Sequence, residues 1–188
     1  MKKKYLLIYF LIIMLFLFFN INNVLAQNFS GNSKYETLGA AYGFYLGNQY
    51  YISKAIKVYP EHEEKLLEIK NRFNYNFQGS IENIKKELLL VLNENELKDL
   101  ENQIFQSLDN TIPNFNQINI NALINNLNDF SKGNNISPII LKAILNYKPL
   151  YSQYPEQEML DNYIQEYSTK NNKKANGLNL KFKLPFSW

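Results

Sequence analysis

The chain has 188 residues and a formal net charge of +3, a length suited to one ordinary domain with a small appendage. Lys2, Lys3 and Lys4 stand in an N-terminal stretch (1–26) with no acid, so residues 27–188 hold 17 basic and 17 acidic groups. That balance excludes the surplus of cations with which a nucleic-acid binder displaces counterions.

After the three lysines, Tyr5 to Phe19 consist only of Leu, Ile, Phe, Tyr and Met, followed by the polar Asn20 to Asn23 and then Val24-Leu25-Ala26. The apolar run is 15 residues, short of the roughly 20 that span a bilayer. Val24 and Ala26 are the small residues a signal peptidase accepts. The pattern predicts a secretory signal peptide over 1–26, cleaved after Ala26, and a periplasmic or secreted protein. The alternative is an uncleaved anchor extended by Ile21 to Ala26. Gln27 stands where lipoprotein processing needs Cys. There is no cysteine, so the exported fold must rest on its core instead of disulfides, and a bacterial envelope protein is the expected setting.

Residues 27–33 read as a flexible leader and 34–169 as a helical domain. In Tyr35 to Lys57, Leu38, Tyr42, Tyr45, Leu46, Ile52 and Ile56 fall near helical spacing. Gly39, Gly43 and Gly47 recur every four residues. Glycines in a helix cost about 1 kcal/mol each relative to Ala, and close approach by another helix is the expected compensation. A membrane dimer motif is disfavoured by Lys34, Glu36, Asn48, Gln49 and Lys54 in the same segment. Pro60 with Glu61, Glu63 and Glu64 opens the next helix. Its apolar positions run from Leu66 to Val91, as one helix or as two broken near Gln78-Gly79-Ser80. Asn93 and Glu96 match a capping box before Leu97, Leu100, Ile104 and Leu108. Leu123 to Phe130 form a shorter helix stopped by Gly133, and Ser137-Pro138 begins another. A last helix starts at Pro155 and carries Met159, Leu160, Tyr163, Ile164 and Tyr167. The fold class is therefore all-α, a bundle of about six helices.

Residues 170–188 differ. Leu178, Leu180, Phe182 and Leu184 alternate with Asn179, Lys181 and Lys183, a strand period, and no convincing partner strand stands upstream. Pairing with another copy or another protein, an extended path along the helical body, and the start of a further domain are the three explanations. Charge divides in the same place. Residues 27–169 sum to −5, whereas Lys170, Lys173, Lys174, Lys181 and Lys183 give the remainder +5, so the tail either forms a solvated turn or docks on an acidic body.

Catalytic material is sparse. His62, the single histidine, lies between Glu61 and Glu63 with Leu66 where a helical metal ligand would stand, and reads as a solvated helix start. Glu61, Glu64 and Glu68 share one helix face, whereas a paired-acid hydrolase needs carboxyls across a cleft. A catalytic triad has no raw material. No metal, cofactor or catalytic residue is expected. Tyr42, Tyr45, Tyr50 and Tyr51 beside the glycine stripe are candidates for contact with a ligand or partner.

Four short segments carry a resemblance: Leu38-Gly39 through Gly43 to Leu46-Gly47-Asn48-Gln49, Ile136-Ser137-Pro138, Lys174 to Leu178, and Leu184 to Trp188. In these the chain resembles exported bacterial proteins of uncharacterised function, whose helical N-terminal region leads into an α/β domain of the PsbP type. The resemblance implies that the segment like Pro185 to Trp188 joins such a domain, and it implies no catalytic residue. The expected function is an exported helical binding or structural domain, engaging a protein partner, a second copy or a further domain through 177–188. A carrier of a small apolar or aromatic ligand is the alternative, and a carboxylate-dependent hydrolase a third. Nucleic acid is not expected as a partner, and membrane contact only through the signal segment.

Overall fold

A computed structural model describes residues 33–111, 115, 118–170 and 173–188. The expected signal peptide and residues 27–32 of the leader lie outside these. Seven α-helices and a two-stranded sheet are found among the described residues: α1 (Ser33–Val58), α2 (Glu63–Leu88), α3 (Glu94–Thr111), α4 (Ile120–Ser131), α5 (Pro138–Asn146), α6 (Pro149–Gln153), α7 (Pro155–Leu160), β1 (Ile164–Ser168) and β2 (Lys181–Pro185). The all-α bundle read from the sequence is the observed class.

The bundle is organised on α1. A single-turn link through Pro60–His62 folds α2 back along it. Antiparallel direction follows from contacts that advance on one helix as they retreat on the other: Lys34 with Glu87, Tyr45 with Asn74. The α3 helix runs parallel to α1 at a constant offset, Tyr42 bonding Glu101 and Tyr50 bonding Asp109. α4 and α5 also pack on α1. Ala41, Ile52 and Ala55 are consequently sealed from solvent, and Gly39, Gly43 and Gly47 are buried. A Cβ at Gly47 would meet Leu108 of α3 at 3.9 Å, an ordinary van der Waals contact.

The second long helix is continuous where a break at Gly79 was one of the two expectations. Gly79 instead lies against Pro149, with 3.5 Å between its virtual Cβ and the ring. The helix ends at Leu88, so Leu90 and Val91 are exposed. The sole arginine ties α2 to the C-terminus of α4: Arg72 donates to Ser131 Oγ at 2.9 Å and Asn128 Oδ1 at 2.7 Å. A cation there suits the negative end of the helix dipole.

Caps follow the sequence. Asn93 Oδ1 accepts from the Glu96 amide at 3.0 Å, and the Asn93 amide donates to Glu96 Oε2 at 2.8 Å, a reciprocal capping box. The fourth helix ends in a Schellman turn: Gly133, at φ 81, donates to Phe130 O while Asn134 donates to Asp129 O.

Two expectations are corrected. The helix from Pro155 does not reach Tyr167. It stops at Leu160 in a second Schellman turn, with Asn162 at φ 71, its amide on Met159 O, and the Tyr163 amide on Glu158 O. Ile164 and Tyr167, whose spacing reads as helical, belong to a strand. The C-terminal strand accordingly has its partner inside the chain: β1 and β2 pair antiparallel, Ile164 opposite Pro185 and Tyr167 opposite Phe182.

Two glycines with positive φ separate backbone strain from packing. A Cβ at Gly133 would lie 2.6 Å from the Tyr163 hydroxyl, whereas Gly177, at φ 83, has nothing within 4 Å. Forcing alanine into the left-handed region costs about 1–2 kcal/mol, and overpacking adds about 1–3 kcal/mol. Gly133→Ala is expected to lose more stability in urea denaturation than Gly177→Ala by that second amount. Equal losses would remove the contact of Tyr163 with Gly133.

Candidate interaction surface

The four tyrosines read as contact residues do not gather around one space. Tyr42 is buried and donates to Glu101 of α3; burial first, and that hydrogen bond second, push its phenol far above the usual range. Tyr45 stacks on Phe73 with ring centres 5.4 Å apart and donates to Asn74 of α2 at 3.0 Å. Tyr50 donates to Asp109, which also receives Lys54 Nζ at 2.8 Å. Tyr51 stacks on Phe115 at 6.2 Å, and its buried hydroxyl has no hydrogen-bond partner. All four are thus committed to fastening α1 to its neighbours. Glu61, Glu64 and Glu68 are exposed and flank no cleft, so the geometry required of a paired-acid hydrolase is missing at these residues.

The polar structure is richest at the C-terminus. Glu158, on α7, is only 1% exposed. Its carboxylate accepts from the Ser187 amide and the Ser187 hydroxyl, both at 2.6 Å. Such charge-assisted bonds are short and strong, and they pin the segment after β2. The Phe186 amide adds a bond to Tyr163 O at 3.0 Å. A second set sits alongside. Lys148 Nζ donates to the Tyr151 hydroxyl at 3.0 Å, Tyr151 donates to Asp161 Oδ2 at 2.7 Å, and Gln157 donates to Asp161 Oδ1 at 2.8 Å. Burial pushes the Lys148 ammonium below its ordinary range despite Asp161 at 3.6 Å. Burial also opposes the Asp161 charge, but the hydrogen bonds from Tyr151 and Gln157, with Lys148 behind them, hold its carboxyl below the usual value.

On this base stands the hairpin. Thr169 N bonds Leu180 O and Phe186 N bonds Tyr163 O, each at 3.0 Å, which fixes the ladder phase. Gln165, Tyr167 and Thr169 therefore share one face with Leu184, Phe182 and Leu180, while Ile164, Glu166 and Ser168 share the other with Pro185, Lys183 and Lys181. Tyr167 and Phe182 touch across the strands with ring centres 5.0 Å apart. Of the four alternating residues, Phe182 and Leu184 lie in β2 and pair. Leu178 and Leu180 precede it, and Leu180 still bonds Thr169 through both its amide and its carbonyl. Leu178 is 63% exposed, Leu180 53% and Trp188 65%. Leu184 alone of the four is half-buried.

The element hidden from the sequence is β1. Its signals are Asp161-Asn162, a pair that tolerates a helix-ending left-handed turn, and the strand-favouring Ile164, Tyr167 and Thr169. Comparison with protein-family models gives no match, and neither does comparison with curated proteins or with solved structures.

Two measurements follow from these contacts. Tyr51→Phe removes a hydroxyl that bonds nothing and is expected to leave stability unchanged or raised, while Tyr42→Phe, which strips a hydrogen bond from Glu101, costs about 1 kcal/mol; equal thermal shifts for the two would contradict the assignment. Asp161 titrates lower in the folded chain than in the unfolded one, so its stabilisation is full above the unfolded value and fades as pH falls through the folded value. Chemical denaturation should show Asp161→Asn weaker than wild type by about 0.5–1 kcal/mol at neutral pH, because solvent screens this partly exposed carboxylate, with the gap closing below pH ~4. A gap that persists unchanged in acid would exclude the carboxylate as its source.

Proposed function

We propose that this chain is an exported helical binding or structural domain whose C-terminal hairpin is its contact surface. The observation that carries the reading is the mismatch between how firmly the hairpin is held and what it displays. Glu158, Tyr163 and Ser187 fasten its base to the body, yet Leu178, Leu180 and Phe182 remain exposed. Apolar side chains left uncovered on a well-fixed element mark an interaction site. The signal-like segment 1–26, with cleavage after Ala26, supports a periplasmic or secreted location. The commitment of Tyr42, Tyr45, Tyr50 and Tyr51 to helix contacts favours this reading over a carrier of a small ligand. Resemblance to exported proteins with a PsbP-like domain supports it too, since the segment like Pro185 to Trp188 leads into that domain there.

Site-specific photocrosslinking in cells tests it. A photoreactive phenylalanine analogue at position 182 is expected to yield adducts with another molecule, whereas the same analogue at position 75, where Tyr75 of α2 is 89% exposed, is not. Equal yields from the two positions, or none from 182, would remove the hairpin as the contact surface.

A further inference from the structure

We infer that the hairpin docks on an anionic lipid surface, a peripheral membrane contact beyond anything residues 1–26 supply; the inference rests on the hairpin being the contact surface. Its first support is charge. Residues 162–188 contain five lysines and one acid, Glu166, for a net +4, whereas residues 27–161 carry 12 basic and 16 acidic groups, net −4. A surface of negative headgroups attracts one end of this molecule and repels the rest, which orients the chain hairpin-down.

The second support is the kind of apolar residue displayed. Leu178, Leu180, Phe182 and Tyr167 are exposed together on or beside one face of the ribbon. Trp188 is exposed at the base of the ribbon, its backbone oxygen held by Gln165 at 3.0 Å and by Lys142 of α5. Leucine and aromatic rings beside lysine are the composition that settles at the boundary between headgroups and acyl chains. Lys181 and Lys183 point from the opposite face, but a single layer of strands separates them from the apolar one. Screening at physiological salt acts over about 8 Å, and lysine stems are long enough to bring the ammonium round to the headgroups. Lys170 and Lys174, near the hairpin tip, are exposed as well.

The third support is how few side chains the ribbon offers, Tyr167, Leu178, Leu180 and Phe182, with Trp188 at its base. A stable protein interface takes about 800 Å² from each partner with matched shape, while insertion of a few side chains into lipid needs neither. A second copy also offers its acidic body to this basic end, and the oligomeric state measured below separates that occupant from lipid. Among the described residues no helix is long and apolar enough to cross a membrane, so the contact is made at the surface.

The test uses residues 27–188, which contain every described element, with vesicles of equal parts phosphatidylglycerol and phosphatidylcholine or of phosphatidylcholine alone. Trp188 is the single tryptophan and reports insertion by a blue shift of its emission. Expected are binding and a blue shift on anionic vesicles, at least about tenfold weaker binding on the neutral ones, and release in concentrated salt. Each of Lys170→Gln, Lys181→Gln and Lys183→Gln should weaken binding about fivefold, the equivalent of ~1 kcal/mol per lysine. Leu178→Asp with Leu180→Asp should abolish the shift; all five positions are exposed, and unchanged melting temperatures will show that the variants fold. Failure to bind, equal binding to both vesicle types, or an oligomer in sedimentation that these same variants dissolve would overturn the lipid assignment. If vesicles are ignored while position 182 still crosslinks to a protein, only the lipid assignment falls; if both fail, the contact-surface reading falls with it.

Discussion

Enclosure of α1 by four other helices is the constraint on which the rest of the molecule depends. A helix touched by α2, α3, α4 and α5 has no solvent face on which to collect its polar groups, so most of its polar side chains find partners in place, the Tyr51 hydroxyl excepted. Tyr42 and Tyr50 reach acids of α3, Gln49 reaches Asn74 of α2, and the buried Asn48 turns back to Phe44 O at 2.7 Å. Its small residues lie inside the bundle, Gly47 beside the Leu108 side chain. Three glycines weaken the isolated helix by about 3 kcal/mol in total, and burial of Leu38, Ile52 and the facing Leu108 offsets that loss only when the neighbours are assembled. α1 is thus a product of the bundle more than a contributor to it.

The C-terminal hairpin stands in the opposite relation. Its strands are joined by a short stretch of sequence and gain little from the core, so a two-stranded ribbon of this kind is marginal alone. What steadies it is polar: the Glu158 carboxylate under Ser187, and the Tyr163 ring lying over Gly133 at the end of α4. Burying a carboxylate is tolerable because two donors meet it. The exposed leucines can then be held at a fixed place relative to the body, which is what distinguishes a contact surface from a loose tail.

Much of the helical frame was legible because its signals are local. The Asn93–Glu96 box, the Gly133 stop and the Ser137-Pro138 start depend on residues within one turn of the boundary they mark. The amphipathic rows from Leu66 to Leu88 and from Leu97 to Leu108 show one dry face each. Failures arose where two periods fit the same residues. Ile164 and Tyr167 are three apart, and with Leu160 they extend a helical row; the choice was made by Asn162 taking a left-handed conformation that few other residues adopt. With β1 misread, the alternation from Leu178 to Leu184 lacked its partner. The exposure of that apolar alternation was not legible at all, since burial depends on how far the body extends over the ribbon. The separate contacts of Tyr42, Tyr45, Tyr50 and Tyr51 were not legible for a related reason: adjacency in sequence on a helix enclosed all round sends side chains toward different neighbours.

The offsets between contacting helices also set an order of events in time. α1 meets α3 across 59 residues, and α2 meets α4 across about 56; α5, which closes the remaining side of α1, follows later still. A chain growing from its N-terminus therefore carries α1 for the 80 residues from Val58 to Pro138 before the last wall arrives. During that interval its glycine-rich stripe has nothing to rest against, and the helix is only partly formed. Such a chain stays pliable until most of it exists. The first helix among the described residues is then among the last to be completed.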